Sequence, residues 1–425
     1  MNAATLDYIR EHANDDVRQL ALRPVADDVD LRTALTQIEG RQLAARKLPT
    51  WAATDGLLFP PRLSLEQCSS EATADYKRHV VENLSKINSP FSVFIDLTAG
   101  LGVDFAAIAS LFPQSVYVEQ QEALSNLARH NLPLLGLRQA VVRDTTCEEV
   151  LHDLTSRRVP PVGHASPING TRPHDLFLMI DPARRDSAGN KVARIEDCTP
   201  DVCSLQKQLR AAAAFTLIKL SPMLDLTAAL RSLNGIIEAH VVSVDGECKE
   251  LLLLMKGDTT EVAIPSFDDC PIHCVDLKGT PSATSSSEFL FTRSSEAASS
   301  FILTDSIGTY LYEPNASILK AGAYKTICQR YPVQKLATDT HLYTTNRLIT
   351  DFPGRRWKVI DSATFSKKEL RRLLADFPAA DLTVRGFPVS VANLRKQLHL
   401  REGGNAHLIA TTLGSQRLLL RVERV

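Results

Sequence analysis

No stretch of this chain approaches the roughly 18 consecutive apolar residues that a membrane-spanning helix needs. The opening MNAATLDYIREHANDD carries acidic residues early and has neither the basic segment nor the apolar run of a secretory signal. Both absences predict a soluble, cytoplasmic protein. Low-complexity segments and internal repeats are missing as well, so the chain reads as globular. The eight cysteines are scattered through apolar or helical contexts, which predicts reduced thiols rather than a disulfide framework. Cys270, His273 and Cys274 in DDCPIHC offer soft ligands, but no second cluster at zinc spacing completes a tetrahedral set, so no metal is expected. Cys198 and Cys203, around a helix start in EDCTPDVCSL, read as packing residues rather than a redox pair.

What is present is a chain of 425 residues, 44% of them hydrophobic, too long for one core and expected to divide into two to four domains. The net charge of −1 hides an asymmetry: from residue 321 onward there are 18 Lys and Arg against 8 Asp and Glu, a balance of +10 that leaves −11 for the remainder. A basic terminal module beside an acidic core is the pattern of a polyanion-binding attachment, or of a solvated basic face on a small domain.

Residues 1 to about 88 show helical spacing in LDYIREHANDDVRQLALR, in LRTALTQIEGRQLAARKL and again in TADYKRHVVENLSKI, without strand alternation. From 91 to about 256 the pattern becomes short β-rich runs separated by helical stretches, the signature of a parallel sheet wrapped by helices. Strands are predicted at 91–97, 115–119, 139–143, 175–181 and 215–220, with helices at about 103–112, 121–132, 146–154 and 200–213. IIEAHVVSV and ELLLLMK are separated only by DGECK, too short for a parallel crossover, so they should form an antiparallel hairpin. The Pro- and Gly-rich stretch 158–173 reads as a long loop, and LKGTPSATSSSEF at 277–289 as a linker or exposed loop.

The first strand ends at Asp96 and runs into Leu97-Thr98-Ala99-Gly100-Leu101-Gly102-Val103-Asp104, then an apolar helix. Gly100 and Gly102 can take positive φ and leave room for a ligand against bare backbone, while the helix directs its first amides there. Glu119 and Gln120 close the second strand, with Glu119 19 residues beyond Gly100, where a carboxylate can accept from both hydroxyls of a ribose. Asp144 closes the third strand. Three acids at the carboxyl ends of successive strands are the arrangement by which open α/β sheets bind ligands. A dinucleotide-binding GxGxxG is excluded, because Gly100-Leu101-Gly102 is followed by Val103, Asp104 and Phe105.

Asp181-Pro182-Ala183-Arg184-Arg185 follows the fourth strand, where proline stiffens the loop and the acid can accept a proton or hydrogen bond. Arg184, Arg185, Lys191 and Arg194 read either as phosphate contacts or as partners of Asp186, Glu196 and Asp197.

Five parallel strands, a closing hairpin and these two loops resemble the class I adenosylmethionine-dependent methyltransferases. More narrowly, DLTAGLGVD (96–104), DPARR (181–185), KLSPMLDL (219–226) and YLYEPNASILKAGAYK (310–325) resemble a bacterial family of such enzymes with small C-terminal ferredoxin-like and THUMP-like domains. The resemblance implies an α/β fold: a Rossmann-like, seven-stranded core at 89–275 after a helical region at 1–88, a ferredoxin-like domain at 276–321 and a THUMP-like domain at 322–425. It implies S-adenosyl-L-methionine as cofactor, held by Asp96, Thr98, Ala99, Gly100, Gly102, Asp104, Glu119, Gln120, Asp144 and Asp181, with Asp96 at the cationic amine and Asp144 at the adenine amine. Asp181, Pro182 and Arg184 are the expected reaction-loop residues. THUMP domains generally bring RNA to attached modifying enzymes, so a tRNA or rRNA is the expected partner, with small-molecule methylation or a silent cofactor-binding protein as alternatives. Two departures narrow the chemistry. Base amino-group methyltransferases usually carry an aromatic residue where Arg184 stands, and uracil carbon-5 enzymes carry a cysteine where Ser221 stands.

Overall fold

A computed structural model describes residues 1–87, 91–156, 171–184, 194–278 and 285–425. The chain forms two compact units, the first made of Met1–Ala239, Lys249–Pro265 and Leu277–Ser285, the second of His240–Cys248, Ser266–Asp276 and Ser286–Val425. Among the described residues no helix is long and apolar enough to cross a membrane.

Six helices precede the first strand, as the helical periodicity predicts: α1 (Ala3–Glu11), α2 (Val17–Leu20), α3 (Leu31–Lys47), α4 (Pro49–Ala53), α5 (Arg62–Gln67) and α6 (Glu71–Ile87). Asn2, Asp16 and Asp30 cap α1, α2 and α3 by accepting from backbone amides, which fixes where each begins. Glu71 in the first turn of α6 accepts from the Thr50 and Trp51 amides and so supplies the cap that α4 lacks on its own chain. The buried stripe of α6 runs through Ala74, Lys77, Val80, Val81 and Leu84 at three- and four-residue spacing. One of those five is a lysine, fully inaccessible to solvent.

The core then alternates strand and helix: β1 (Val93–Asp96), α7 (Val103–Ala109), β2 (Gln114–Val118), α8 (Glu122–Leu134), β3 (Val141–Arg143), α9 (Cys147–Ser156), β4 (Leu176–Ile180), α10 (Val202–Ala212), β5 (Phe215–Leu220), α11 (Leu226–Ser232), β6 (Ile236–Val244) and β7 (Glu247–Lys256). β1 and β4 are buried at every position, the continuous apolar run expected of strands covered on both faces. β1 through β5 pair in parallel, and β7 pairs antiparallel with β5 from Phe215↔Lys256 to Leu220↔Leu251. Only Asp245 and Gly246 separate β6 from β7, both at positive φ (50° and 83°), the two-residue turn that matches the natural twist of a hairpin. Phe91, Phe94, Phe105, Phe112, Phe177 and Phe215 pack together with ring centroids 5.3–6.4 Å apart.

The predicted seven strands are present, and the order β3-β2-β1-β4-β5-β7-β6 continues through β8 (Ile272–Lys278) and β9 (Ser285–Phe291). Part of the stretch expected as a linker at 277–289 is therefore strand, with 279–284 outside the described residues. The small polar residues concealed an alternation in which Phe289 and Phe291 are buried while Glu288 and Leu290 are exposed. Of the loop expected at 158–173, residues 158–170 fall outside the described residues.

The second sheet has seven strands: β10 (Tyr310–Pro314), β11 (Gln334–Ala337), β12 (Thr340–Thr345), β13 (Gly354–Thr364), β14 (Asp381–Val384), β15 (His407–Leu413) and β16 (Gln416–Arg424). Their order is β11-β12-β10-β13-β16-β15-β14, antiparallel except for β14 beside β15. Five short helices accompany it: α12 (Arg293–Ala298), α13 (Ala316–Ala321), α14 (Thr326–Arg330), α15 (Lys367–Leu374) and α16 (Val391–Leu398). Trp357 lies against His407, ring centroids 4.5 Å apart, and Glu313 is buried between Arg355 and Arg385.

Gly257 ends β7 where the chain passes against α10, and a Cβ there would lie 1.7 Å from the Ala213 carbonyl oxygen. No rotamer relieves a clash with backbone. Gly257→Ala should lower stability by about 3 kcal/mol, read as a shift of the urea midpoint at unchanged slope; an unshifted midpoint would refute this packing.

Candidate active site

At the carboxyl end of β1 the chain turns twice through left-handed backbone, at Gly100 (φ 57°) and Gly102 (φ 87°), and Gly102 forms the N-cap of α7. A Cβ on Gly102 would stand 3.2 Å from the Tyr117 ring, so this position combines a conformational and a steric demand for glycine. The loop is held from three sides. Tyr117 donates from its hydroxyl to the Gly100 carbonyl, the Gly100 amide donates to Glu119 Oε2 at 3.0 Å, and Thr98 Oγ1 accepts from the Asp181 amide at 2.7 Å. The last bond ties the loop after β1 to the loop after β4.

These loops wall a cavity of about 670 Å³, within the range of small-molecule sites. Asp96, Thr98, Ala99, Gly100, Gly102 and Asp104 line it from the first loop, Glu119 and Gln120 from the end of β2, and Asp181, Pro182 and Arg184 from the end of β4. Asp144 is not brought into the wall. It is exposed, and its carboxylate pairs with Arg129 on α8 at 2.5 Å, which holds its carboxyl below the ordinary carboxylate value. β3 is short and at the sheet edge, so the guanidinium reaches that carboxylate first; Thr145, Thr146, Cys147 and Glu148 form the wall there instead. Of the basic residues near the reaction loop, Arg194 pairs with Glu196 at 3.4 Å, whereas Arg185 and Lys191 lie outside the described residues.

The N-terminal helices contribute as well: Leu63, Ser64, Gln67, Cys68 and Ser69 complete one side of the cavity. Helical periodicity marks that region only as a lead-in, and nothing in its sequence signals a part in the site.

A chain of buried charges that runs into the wall leaves no local motif in the sequence. Lys77 of α6 places its ammonium 2.7 Å from Glu250 of β7 and 3.1 Å from Asp104 of α7. Lys219 of β5 stands 3.4 Å from Asp104 and 2.5 Å from Asp181. Ser69 donates to Asp104 at 2.7 Å. Burial works against ionisation of Asp104, yet the two ammonium groups outweigh it and hold its carboxyl below the ordinary carboxylate value. Burial alone would also depress the Lys219 ammonium, but Asp181, Asp104 and Glu250 hold it well above the ordinary lysine value. Asp96 forms no ion pair among the described residues. Burial raises its carboxyl well above the usual range, and the charges of Asp104 and Asp181 add to the shift, against one amide from Thr98 and the more distant charge of Lys219.

This arrangement fits adenosylmethionine. Two glycines leave bare backbone for close approach, a raised and buried Asp96 lacks a cation such as the methionine amine, and Glu119 is held with each oxygen bonded to one amide. A carboxylate oxygen accepts more than one hydrogen bond, so capacity remains for ribose hydroxyls. Among the described residues no group of three or more His, Cys, Asp or Glu side chains could hold a metal, and no two cysteines form a disulfide. Cys270 and Cys274 are buried, while His273 is bonded to Glu288 and stacked on His240.

Glu119→Gln should weaken adenosylmethionine binding about 10- to 100-fold, the worth of hydrogen bonds to a charged acceptor, measured by calorimetry; unchanged affinity would place the ribose elsewhere. Asp96→Asn should weaken binding too, yet raise the melting temperature of the cofactor-free protein. The sign follows from the raised carboxyl: the fold favours its neutral form, so the penalty is present above the raised value and absent below the ordinary carboxylate value of 3.8. The gain in stability should therefore appear at neutral pH and vanish near pH 3; a lower melting temperature at neutral pH would contradict it.

Comparison with known proteins agrees with this reading. Residues 310–353 match a ferredoxin-like domain model and 354–424 a THUMP domain-like model. The ferredoxin-like match thus lies later than the 276–321 expected from the Ser- and Thr-rich break. The chain is 23% identical over 340 residues, 76% of its own length, to a protein of Mycobacterium tuberculosis described as an uncharacterized S-adenosylmethionine-dependent methyltransferase, covering 78% of it. It superposes on the crystal structure of a protein of Porphyromonas gingivalis W83 assigned as a methyltransferase, with a TM-score of 0.80 and 33% identity, covering 99% of this chain and 98% of that one. The chain belongs to the bacterial class I S-adenosylmethionine-dependent methyltransferases that carry ferredoxin-like and THUMP-like domains at the C-terminus.

Proposed function

We propose that this methyltransferase modifies structured RNA, a tRNA or rRNA, gripped through its basic C-terminal third. The observation that carries the reading is the coincidence of the THUMP-like match at 354–424 with the excess of 18 Lys and Arg over 8 Asp and Glu from residue 321 onward. On α15, Lys367, Lys368 and Arg371 are all exposed, a cluster suited to phosphates. Arg372 is engaged by Asp361 and Glu369 and serves the fold.

Bound adenosylmethionine supplies a methyl group on a sulfonium, already electrophilic, so the protein's task is orientation. Asp96 and Glu119 would hold the two ends of the cofactor, and the Asp181–Pro182 loop, fixed to Thr98, would present the acceptor. The proposed division of the chain follows: a helical N-terminal region that completes the cavity, a catalytic sheet, and the basic modules that bring the substrate.

The test is transfer of a labelled methyl group by the full chain to unmodified tRNA and rRNA, with protein and small-molecule fractions in parallel. Labelled RNA is expected; label confined to small molecules or protein would overturn the reading. The triple substitution Lys367→Glu, Lys368→Glu, Arg371→Glu should raise KM for RNA about 10- to 100-fold and leave cofactor affinity unchanged. It should also flatten the salt dependence of RNA binding by about one unit of slope for each phosphate no longer neutralised.

A further inference from the structure

Three features of the cavity restrict which atom can be methylated. The first is what its wall lacks. Among the described residues that line it there is no Phe, Tyr, Trp or His. An enzyme that methylates a base must take the base out of its stack and re-stack it on the protein. Here the six phenylalanines that pack together are buried in the core, and Arg184 stands in the reaction loop.

Second, the wall holds no activated nucleophile. Its thiols are Cys68 and Cys147, and burial pushes both upward, the reverse of what a thiolate attacking a pyrimidine ring requires.

Third, the wall presents a matched acceptor and donor. Asp181 uses Oδ2 for Lys219, while Oδ1 has no hydrogen-bond partner among the described residues. Lys219 carries three donors; Asp181 and Asp104 engage two, and the third has no partner among the described residues although the side chain lies in the cavity wall. Arg184 and Lys249 add positive charge to the same wall, which suits the phosphates on either side of a ribose.

We propose that the acceptor is a ribose 2′-hydroxyl oxygen, with Asp181 accepting its proton and Lys219 donating to the oxygen as negative charge develops on it. This rests on the RNA reading above and names the atom. A hydroxyl is a weak nucleophile until its proton departs, so it needs a base and a cation together, and the wall offers both on one ion pair. Asp181 takes the proton while the oxygen forms its bond to the methyl carbon. The carbon–sulfur bond breaks with its electron pair on sulfur, which leaves as a neutral thioether. Lys219 enters the step protonated, because the carboxylates around it outweigh its burial. Lys77 and Glu250 are positioning residues that keep Asp104, and through it Lys219, in place.

The deciding experiment digests RNA methylated by the full chain. A 2′-O-methyl ribose blocks alkaline cleavage at its own phosphodiester, so the label should appear in alkali-resistant dinucleotides and, after complete enzymatic digestion, in a 2′-O-methyl nucleoside. Label in alkali-released mononucleotides as a methylated base overturns this inference and leaves the RNA reading standing; no label in RNA overturns both. Lys219→Met should lower kcat at least about 100-fold with cofactor affinity within about 2-fold by calorimetry, and Lys219→Arg should recover at least a tenth of the wild-type rate. Asp181→Asn should lower kcat about 100- to 10,000-fold with cofactor affinity little changed. Full activity in either Lys219→Met or Asp181→Asn would remove that residue from the chemistry.

Discussion

One chain of ions, Glu250–Lys77–Asp104–Lys219–Asp181, ties the catalytic unit together. It alternates in sign along its length and joins five segments: β7, α6, α7, β5 and the loop after β4. Removing such groups from water is costly, and the cost is met only while every link has its partner. Neutralising one member leaves another charge buried alone, so the site cannot loosen piecemeal. Asp104, Lys219 and Asp181 reach the cavity wall, so the interior charges meet the cavity through linked ions whose positions fix one another.

The cofactor side of the cavity uses a different device. Rigidity there comes from backbone bonded to side chains: Gly100 to Glu119 and Tyr117, Thr98 to Asp181, Gln121 to Glu119. The same carboxylate that would meet the ribose first fixes the loop above it. Backbone held in this way has little conformational entropy to lose when the wall is filled. Asp96 stands apart, a buried acid that forms no ion pair among the described residues.

Much of the fold was legible in the sequence because it depends on local periodicity. The five parallel strands, the helices between them and the closing hairpin all follow from apolar runs and turn residues, and Asp245-Gly246 is where the hairpin turns. The first loop was legible because its glycines have a mechanical role that few sequences satisfy. Asp144 misled because a strand-end acid looks the same whether it faces a ligand or a neighbouring Arg129. β9 was hidden by its serines. The buried ions were hidden for another reason: Lys77 and Glu250 are 173 residues apart, and pairing at that range leaves no local pattern. A trace existed nonetheless. Lys77 occupies the apolar stripe of α6 and Glu250 opens an uninterrupted run of leucines, positions where a charge is costly unless answered elsewhere.

That separation also bears on how the protein is made. Lys77 leaves the ribosome in the first fifth of the chain, but its partner on β7 follows only after 173 further residues, roughly 10 to 35 s later at common rates of synthesis. Until then Asp104 of α7 alone answers the cation on the face that α6 must bury. Burial of the α6 cation between both of its carboxylates therefore waits for β7. A chain cut before β7 would leave the buried Lys77 ammonium with Asp104 as its one carboxylate partner.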